Sequence, residues 1–295
     1  MHNFKEYQPC VEVSRGCGRG CEFCLEGNIK AIQNKRPDQV INEAIDTIKT
    51  YDSDSLNFYF QASIFNPNIS WSNQFSRLYH QNKLKFNWRF ETRVDSLNPD
   101  VLPILANSGL KVIDLGLESA STVQLLNMSK TRNVEKYLKK AEVLIEKAYE
   151  NNIWIKVNII LYPGETKETL KETLDWLNKS KKFIKGVSVN PLILYRNGNF
   201  TNQYISHIET LSKESVDKSE LEDCGHMFVN LSKEINIDHS KKISLMISRR
   251  HMNIADYFDL KSISYYHRSL KLESLMELVS SEIYDKDMLP FNLEK

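Results

Sequence analysis

The sequence predicts an α/β fold: a parallel sheet of six strands joined by crossover helices, followed by a less regular α+β cap. Three observations predict it. Short runs rich in β-branched and aromatic residues alternate along the chain with stretches of helical periodicity. Such alternation builds a parallel sheet, because every strand must return to the same end through a crossover. From about Asn199 the alternation gives way to polar helical stretches.

The elements follow in order. Residues 10–14 (Cys-Val-Glu-Val-Ser) form a first strand. Residues 37–49 carry Val40, Ile41, Ala44, Ile45 and Ile48 at helical spacing, with Asp38 placed to favour the helix N-terminus. Residues 56–61 read as a second strand, 70–81 as a helix capped by Ser70, and 86–92 as a third strand. Asn98-Pro99 opens the next helix, with Gly109 beyond its end. Residues 111–116 form a fourth strand. The long helix 133–149 places Val134, Tyr137, Leu138, Ala141, Leu144 and Ile145 on one face. Residues 153–161 and 186–191 are strands five and six, with a helix at 167–177 between them. The expected division is a core over 1–198 and a substrate-covering extension over 199–295. In the extension, 242–248 reads as one more strand and 269–283 as a helix.

Composition narrows the function. A net charge of +1 gives no general attraction to nucleic acid or membrane. No window approaches the roughly eighteen apolar residues of a spanning helix. Met1-His-Asn-Phe-Lys-Glu6 lacks the apolar centre of a signal peptide. Three of the five cysteines share one motif, which argues for a reducing cytoplasm over a disulfide framework.

That motif, Cys17-Gly-Arg-Gly-Cys21-Glu-Phe-Cys24, follows the first strand. Thiolates are soft ligands suited to iron–sulfur clusters or zinc. Three on one loop can hold three irons of a [4Fe–4S] cube and leave the fourth open. Gly18 and Gly20 allow the tight loop, since glycine accepts positive φ. The alternative is a structural zinc loop, but such sites close with four ligands, and only Cys10 and Cys224 remain.

The pattern C-x3-C-x-aromatic-C after a first strand, with Phe23 as the aromatic residue, resembles the radical S-adenosylmethionine (radical SAM) superfamily. The resemblance implies a partial (β/α)6 TIM barrel. It also implies that the open iron binds the amino and carboxylate groups of S-adenosylmethionine. An electron from the cluster then cleaves the sulfonium to methionine and a 5′-deoxyadenosyl radical, which takes a hydrogen atom from a substrate. An electron donor such as flavodoxin or ferredoxin is implied as partner.

The strand ends carry further resemblance. Gln61-Ala62 stands where the family often has Gly-Gly-Glu, so only the backbone there is expected to meet the methionine amino group; an ordinary turn is the alternative. Arg93 is expected to pair with the methionine carboxylate, or else to form a salt bridge in the barrel mouth. Gly116-Leu-Glu118-Ser119, with Met128-Ser-Lys130 beyond, resembles the GxES…xxMxK segment of the branch that holds methylthiotransferases, Elongator-like proteins and cobalamin-dependent enzymes. That likeness gives Glu118 the S-adenosylmethionine ammonium and Lys130 its carboxylate, with Ser119 in the same segment; the alternative is a helix cap at Ser119 or Ser121. Pro163-Gly164-Glu165-Thr166 resembles the GxPGET turn of that branch, with Thr166 as the capping hydroxyl. Asn158 is expected at the ribose hydroxyls, and Leu192 as apolar cover for adenine.

The expected protein is therefore a minimal enzyme with one cluster, lacking the accessory domains of that branch. Its substrate is expected to be a small molecule, a sugar derivative or a peptide, which is epimerised, dehydrogenated or rearranged. Cys224, within Glu222-Asp-Cys-Gly-His226, is a candidate hydrogen-atom donor; the alternative is a packing cysteine. Lys241-Lys242 and Arg249-Arg250-His251 could meet an anion or face solvent, and Tyr265-Tyr266-His267 could stack on a ring or pack in the core. An RNA-modifying enzyme and a non-enzymatic iron–sulfur or zinc-binding protein are the competing readings.

Overall fold

The computed structural model describes residues 3–27, 29–30, 33–53, 55–196, 202–264, 266–281 and 285–294. Six strands form one sheet: β1 (Cys10–Glu12), β2 (Asn57–Gln61), β3 (Asn87–Arg93), β4 (Leu110–Glu118), β5 (Trp154–Leu161) and β6 (Gly186–Pro191). Their spatial order is their sequence order, and every neighbouring pair is parallel. That is a partial (β/α)6 barrel. Helices α1 (Pro37–Tyr51), α2 (Ile69–Gln81), α3 (Leu102–Ala106), α4 (Thr122–Asn127), α5 (Val134–Glu150) and α6 (Lys167–Ser180) make the crossovers.

Alternation along the strands decides what lies on each side of the sheet. Phe58, Phe60, Trp88 and Phe90 are wholly buried, and Phe75 of α2 packs among them. Phe60 stacks on Trp88 with ring centroids 4.5 Å apart. The intervening residues of β3, β4 and β5 are Arg89, Glu91, Arg93, Asp114, Gly116, Lys156 and Asn158, and they line cavities inside the barrel. The interior is thus polar at these strands, where many barrels carry branched apolar layers.

Three expectations need correction. The cap of α2 is Asn68, not Ser70: the Asn68 side chain accepts from the Trp71 N–H at 2.8 Å. Residues 242–248 are not a strand but part of α9 (Ile237–His251). The helix expected over 269–283 is the shorter α11 (Leu272–Ser280), and residues 282–284 lie outside the described residues. The expected division at 198/199 also lies outside them.

The later chain wraps the sheet. A two-stranded pair, β7 (Ile193–Tyr195) and β8 (His226–Phe228), packs with α7 (Asn202–Ser212) and α8 (Lys218–Cys224). They share a core with Met128 and Tyr162, just past the ends of α4 and β5. Helix α9 lays Ile243 and Ile247 against the barrel core. Then α10 (Ile254–Ser262) and α11 pack with Val112 and Trp154, at the starts of β4 and β5. Finally Tyr7 and His267 form an antiparallel bridge, and the Arg268 N–H donates to the Glu6 carbonyl at 2.7 Å. The last fifth of the chain runs from β6 back to the segment preceding β1.

Candidate functional site

The loop after β1 is held from several sides. The Cys17 N–H donates to Ile29 O at 3.0 Å, Gly20 N–H to Gly27 O at 2.8 Å, and Glu22 N–H to Met128 O at 3.1 Å. Gly18 and Gly20 take φ of 66° and 69°, the left-handed region that side chains resist. The outcome is that Cys17, Cys21 and Cys24 line one cavity of about 190 Å³ at the C-terminal mouth of the barrel.

The same cavity is lined by Phe23, Arg93, Gly116, Glu118, Lys130 and Asn158. Arg93 ends β3. Its Nη1 donates to Cys21 Sγ at 2.7 Å, its Nε and Nη2 donate to the Asp95 carboxylate, and Nη2 also reaches Lys130 O at 2.6 Å. The salt bridge weighed as an alternative for Arg93 is therefore present, and most of its donors are engaged. Burial pushes the Cys24 thiol up, against a backbone N–H of Glu26, and the nearby Cys21 and Cys17 add to the rise. Three thiols on one cavity are candidate ligands for a soft metal centre.

Glu118 ends β4 with φ of 67°, unusual for a residue with a side chain and worth about 1–3 kcal/mol of strain. The ladder to β5 slips between Gly116 and Glu118, and both residues, two apart on one strand, line the same cavity. Lys130 Nζ donates to Glu118 Oε1 at 2.8 Å, with both side chains largely buried. The Lys130 ammonium also stands 5.5 Å from the centre of the Phe23 ring. Gly116 keeps the floor open: a Cβ there would meet Glu118 Oε1 at 2.7 Å.

Other expected residues lie elsewhere. Ser119 Oγ bonds Thr173 Oγ1 at 3.0 Å and accepts from the Ser121 N–H, so it fastens the turn to α6. Ser121 occupies the cap position of α4 but its side chain makes no capping bond. Gln61 and Ala62 do not line the cavity; Gln61 Oε1 accepts from the Cys10 thiol at 3.6 Å, and the neighbouring Ser63 lines it instead. Ser63 Oγ accepts from the Gly16 N–H at 3.1 Å. Leu192 is buried in the second core with Tyr162 and Met128. Cys224 is exposed at the end of α8 and lines none of the described barrel cavities, so its position gives the hydrogen-donor role no support. Sequence reasoning missed Ser63, Glu91 and Asp114. The last two carried a signal: charges at alternate positions of otherwise apolar central strands.

Among the described residues no three His, Cys, Asp or Glu side chains converge closely enough to hold one metal ion. A cube carries its thiolates on separate irons, farther apart than ligands that share an ion.

The radical SAM superfamily model matches residues 11–177, which is more than half of the chain and spans β1 to α6.

The chain belongs to the radical SAM superfamily.

Its cofactors are those of the superfamily, a [4Fe–4S] cluster and S-adenosylmethionine. Solved structures of the superfamily share the fold. The radical S-adenosylmethionine methyltransferase TsrM from Kitasatospora setae, with tryptophan substrate and an aza analogue of S-adenosylmethionine bound, superposes with a TM-score of 0.54 at 18% identity, over 68% of this chain and 38% of its own. The same enzyme with cobalamin and a [4Fe–4S] cluster gives 0.53 at 17% identity, over 69% and 37%. The cobalamin-dependent radical enzyme OxsB, with aqua-cobalamin and S-adenosylmethionine, gives 0.50 at 18%, over 74% and 31%. The chain spans less than two-fifths of the length of these enzymes, and the likeness is one of fold. No curated protein sequence matches it. Among the described residues no helix is long and apolar enough to cross a membrane.

Proposed function

We propose that this radical SAM enzyme carries its cluster on Cys17, Cys21 and Cys24, and that it takes a hydrogen atom from a small molecule admitted to the hollow barrel. The observation that carries the reading is that the three thiols, the buried Glu118–Lys130 pair and the floor at Gly116 face one cavity. When bound, the cluster and S-adenosylmethionine supply one-electron cleavage of a sulfonium.

The chain's own residues bind and orient. Arg93 fixes Cys21 and supplies a charged N–H to its sulfur. Lys130 engages Glu118 Oε1, which leaves Oε2 as the acceptor for an incoming ammonium group. Lys130 in turn can share its three donors with a carboxylate. Asn158, the register partner of Gly116 on the neighbouring strand, offers an amide to ribose hydroxyls. The polar interior below supports a substrate pocket rather than a packed core. Epimerisation, dehydrogenation and rearrangement all begin with the same abstraction.

The test is anaerobic reconstitution with iron and sulfide, then reduction with dithionite in the presence of S-adenosylmethionine. The expected result is about four irons per chain and formation of 5′-deoxyadenosine. Serine at position 17, 21 or 24 should abolish both, whereas Cys10→Ser and Cys224→Ser should retain both. A colourless protein, or a cluster that never yields 5′-deoxyadenosine, overturns the reading in favour of a metal-binding protein without this chemistry.

A further inference from the structure

A second cavity, of about 310 Å³, lies inside the barrel. Glu91 and Asp114 line both it and the cluster cavity. Its other walls include Lys156 of β5, Asn190 of β6 and Lys261 of α10. The size suits a small metabolite or the end of a larger molecule.

The charges in this cavity do not balance. Arg89, Lys156 and Lys261 face Asp114 and Glu91, three cations to two carboxylates. Asp114 is already committed: Arg89 grips its Oδ2 through Nε and Nη2, and Lys156 Nζ stands 3.3 Å from its Oδ1. The remaining Arg89 nitrogen, Nη1, donates to Leu260 O at 2.7 Å. Burial and then the neighbouring Asp114 push the Glu91 carboxyl up, against a hydrogen bond from Tyr59 and the pull of Lys156 and Arg89. Among the described residues Lys261 has no carboxylate partner; its ammonium lies 5.5 Å from the Tyr257 ring centre and 6.0 Å from that of Tyr266. Burial depresses its proton affinity, and Lys156 and then Arg89 depress it further, against a smaller opposing pull from Asp114. A half-buried cation crowded by two others is costly unless an anion joins them.

We infer that this cavity binds the anionic end of the substrate, a carboxylate or a phosphate paired with Lys261 and Lys156. The rest of the molecule extends past Glu91 and Asp114 toward the cysteine-lined mouth. The inference deepens the proposed function, since it rests on that reading for the identity of the mouth.

The experiment uses the full chain, with and without its cluster, at constant ionic strength. Inorganic phosphate and succinate are titrated by calorimetry, with sodium chloride as control. The expected result is saturable binding of phosphate, of succinate or of both, with an apparent Kd raised at least tenfold in Lys261→Gln and largely kept in Lys261→Arg. Preference between the probes separates phosphate esters from carboxylic acids. Relief of cation crowding should leave unliganded Lys261→Gln at least as heat-stable as the parent; a large fall in Tm would mark Lys261 as a structural stem packed on Tyr257 and overturn the inference. Equal affinity in Lys261→Gln, or no saturable binding by a protein that still forms 5′-deoxyadenosine, would also overturn it. Anion binding intact in a chain that takes up no cluster would instead overturn the reading of the mouth.

Discussion

Arg93 donates from Nη1 to the sulfur of Cys21 across 2.7 Å, so the last residue of β3 holds the second cysteine of the loop that follows β1. A charged N–H on a cluster thiolate favours the reduced cluster, which carries the extra electron. Replacing Arg93 with Met should leave the three thiols in place but lower the reduction potential of the reconstituted cluster. Redox titration followed by electron paramagnetic resonance measures this. An unchanged potential would mean that the contact only positions the loop.

Glu118 and Lys130 depend on each other. Lys130→Met strands a carboxylate that is 7% exposed on a strained backbone. It should lower unfolding stability by about 3–5 kcal/mol. The double variant Glu118→Gln/Lys130→Met should recover most of that loss and still fail to retain S-adenosylmethionine. Urea denaturation and equilibrium dialysis separate the two effects.

Gly116→Ala probes the cavity floor. The added methyl would meet Glu118 Oε1 at 2.7 Å and Lys130 Nζ at 3.4 Å. Iron content should stay at the parent level, while affinity for S-adenosylmethionine falls by roughly tenfold or more, equivalent to about 1.4 kcal/mol. Unaltered affinity would show that bound S-adenosylmethionine does not use this floor.

Glu165 gives a pH signature. Buried beside Thr169 in the turn after β5, its carboxyl is pushed up to about 7 by burial, against the hydrogen bond from Thr169. Folding therefore takes up a proton between the unfolded value, about 4.5, and 7. The protonated form is the one the fold prefers, so this contribution to stability is complete below pH 4.5 and is lost as pH rises through 7. Glu165→Gln should abolish that loss and stabilise the protein at pH 8 by roughly 3 kcal/mol at most. Thermal midpoints of both proteins from pH 5 to 8 check it; parallel curves would assign the titration elsewhere.

Strand periodicity and helix spacing located all six barrel strands and the cysteine loop, because β-branched runs and an exact cysteine spacing are local signals. The error in α9 is also local. Lys242, Ser244 and Ser248 fall between or beside Ile243, Leu245 and Ile247, an alternation broken only at Met246 that mimics a strand. The helix wins because Ser240 and Ser244 return their hydroxyls to carbonyls one turn back, while Ser248 Oγ accepts from the Val189 N–H. Serines so satisfied can be buried, and the Ile243–Ile247 face packs against β6. The site was legible only where motifs name it. Ser63, Glu91 and Asp114 reach their cavities through sheet register and barrel closure, which depend on partners far along the chain. The polar turn at Ser119 gave no hint that its hydroxyl would face Thr173 and not the mouth.

The tie between residues 6–8 and residues 266–268 has a consequence for biogenesis. The strand that presents the cysteine loop is three residues long and pairs on one side with β2. Its entry segment is pinned by residues that leave the ribosome long after it. A nascent chain therefore exposes its thiols before it can hold them in place, and iron delivery is expected to follow translation of α10 and the stretch beyond it.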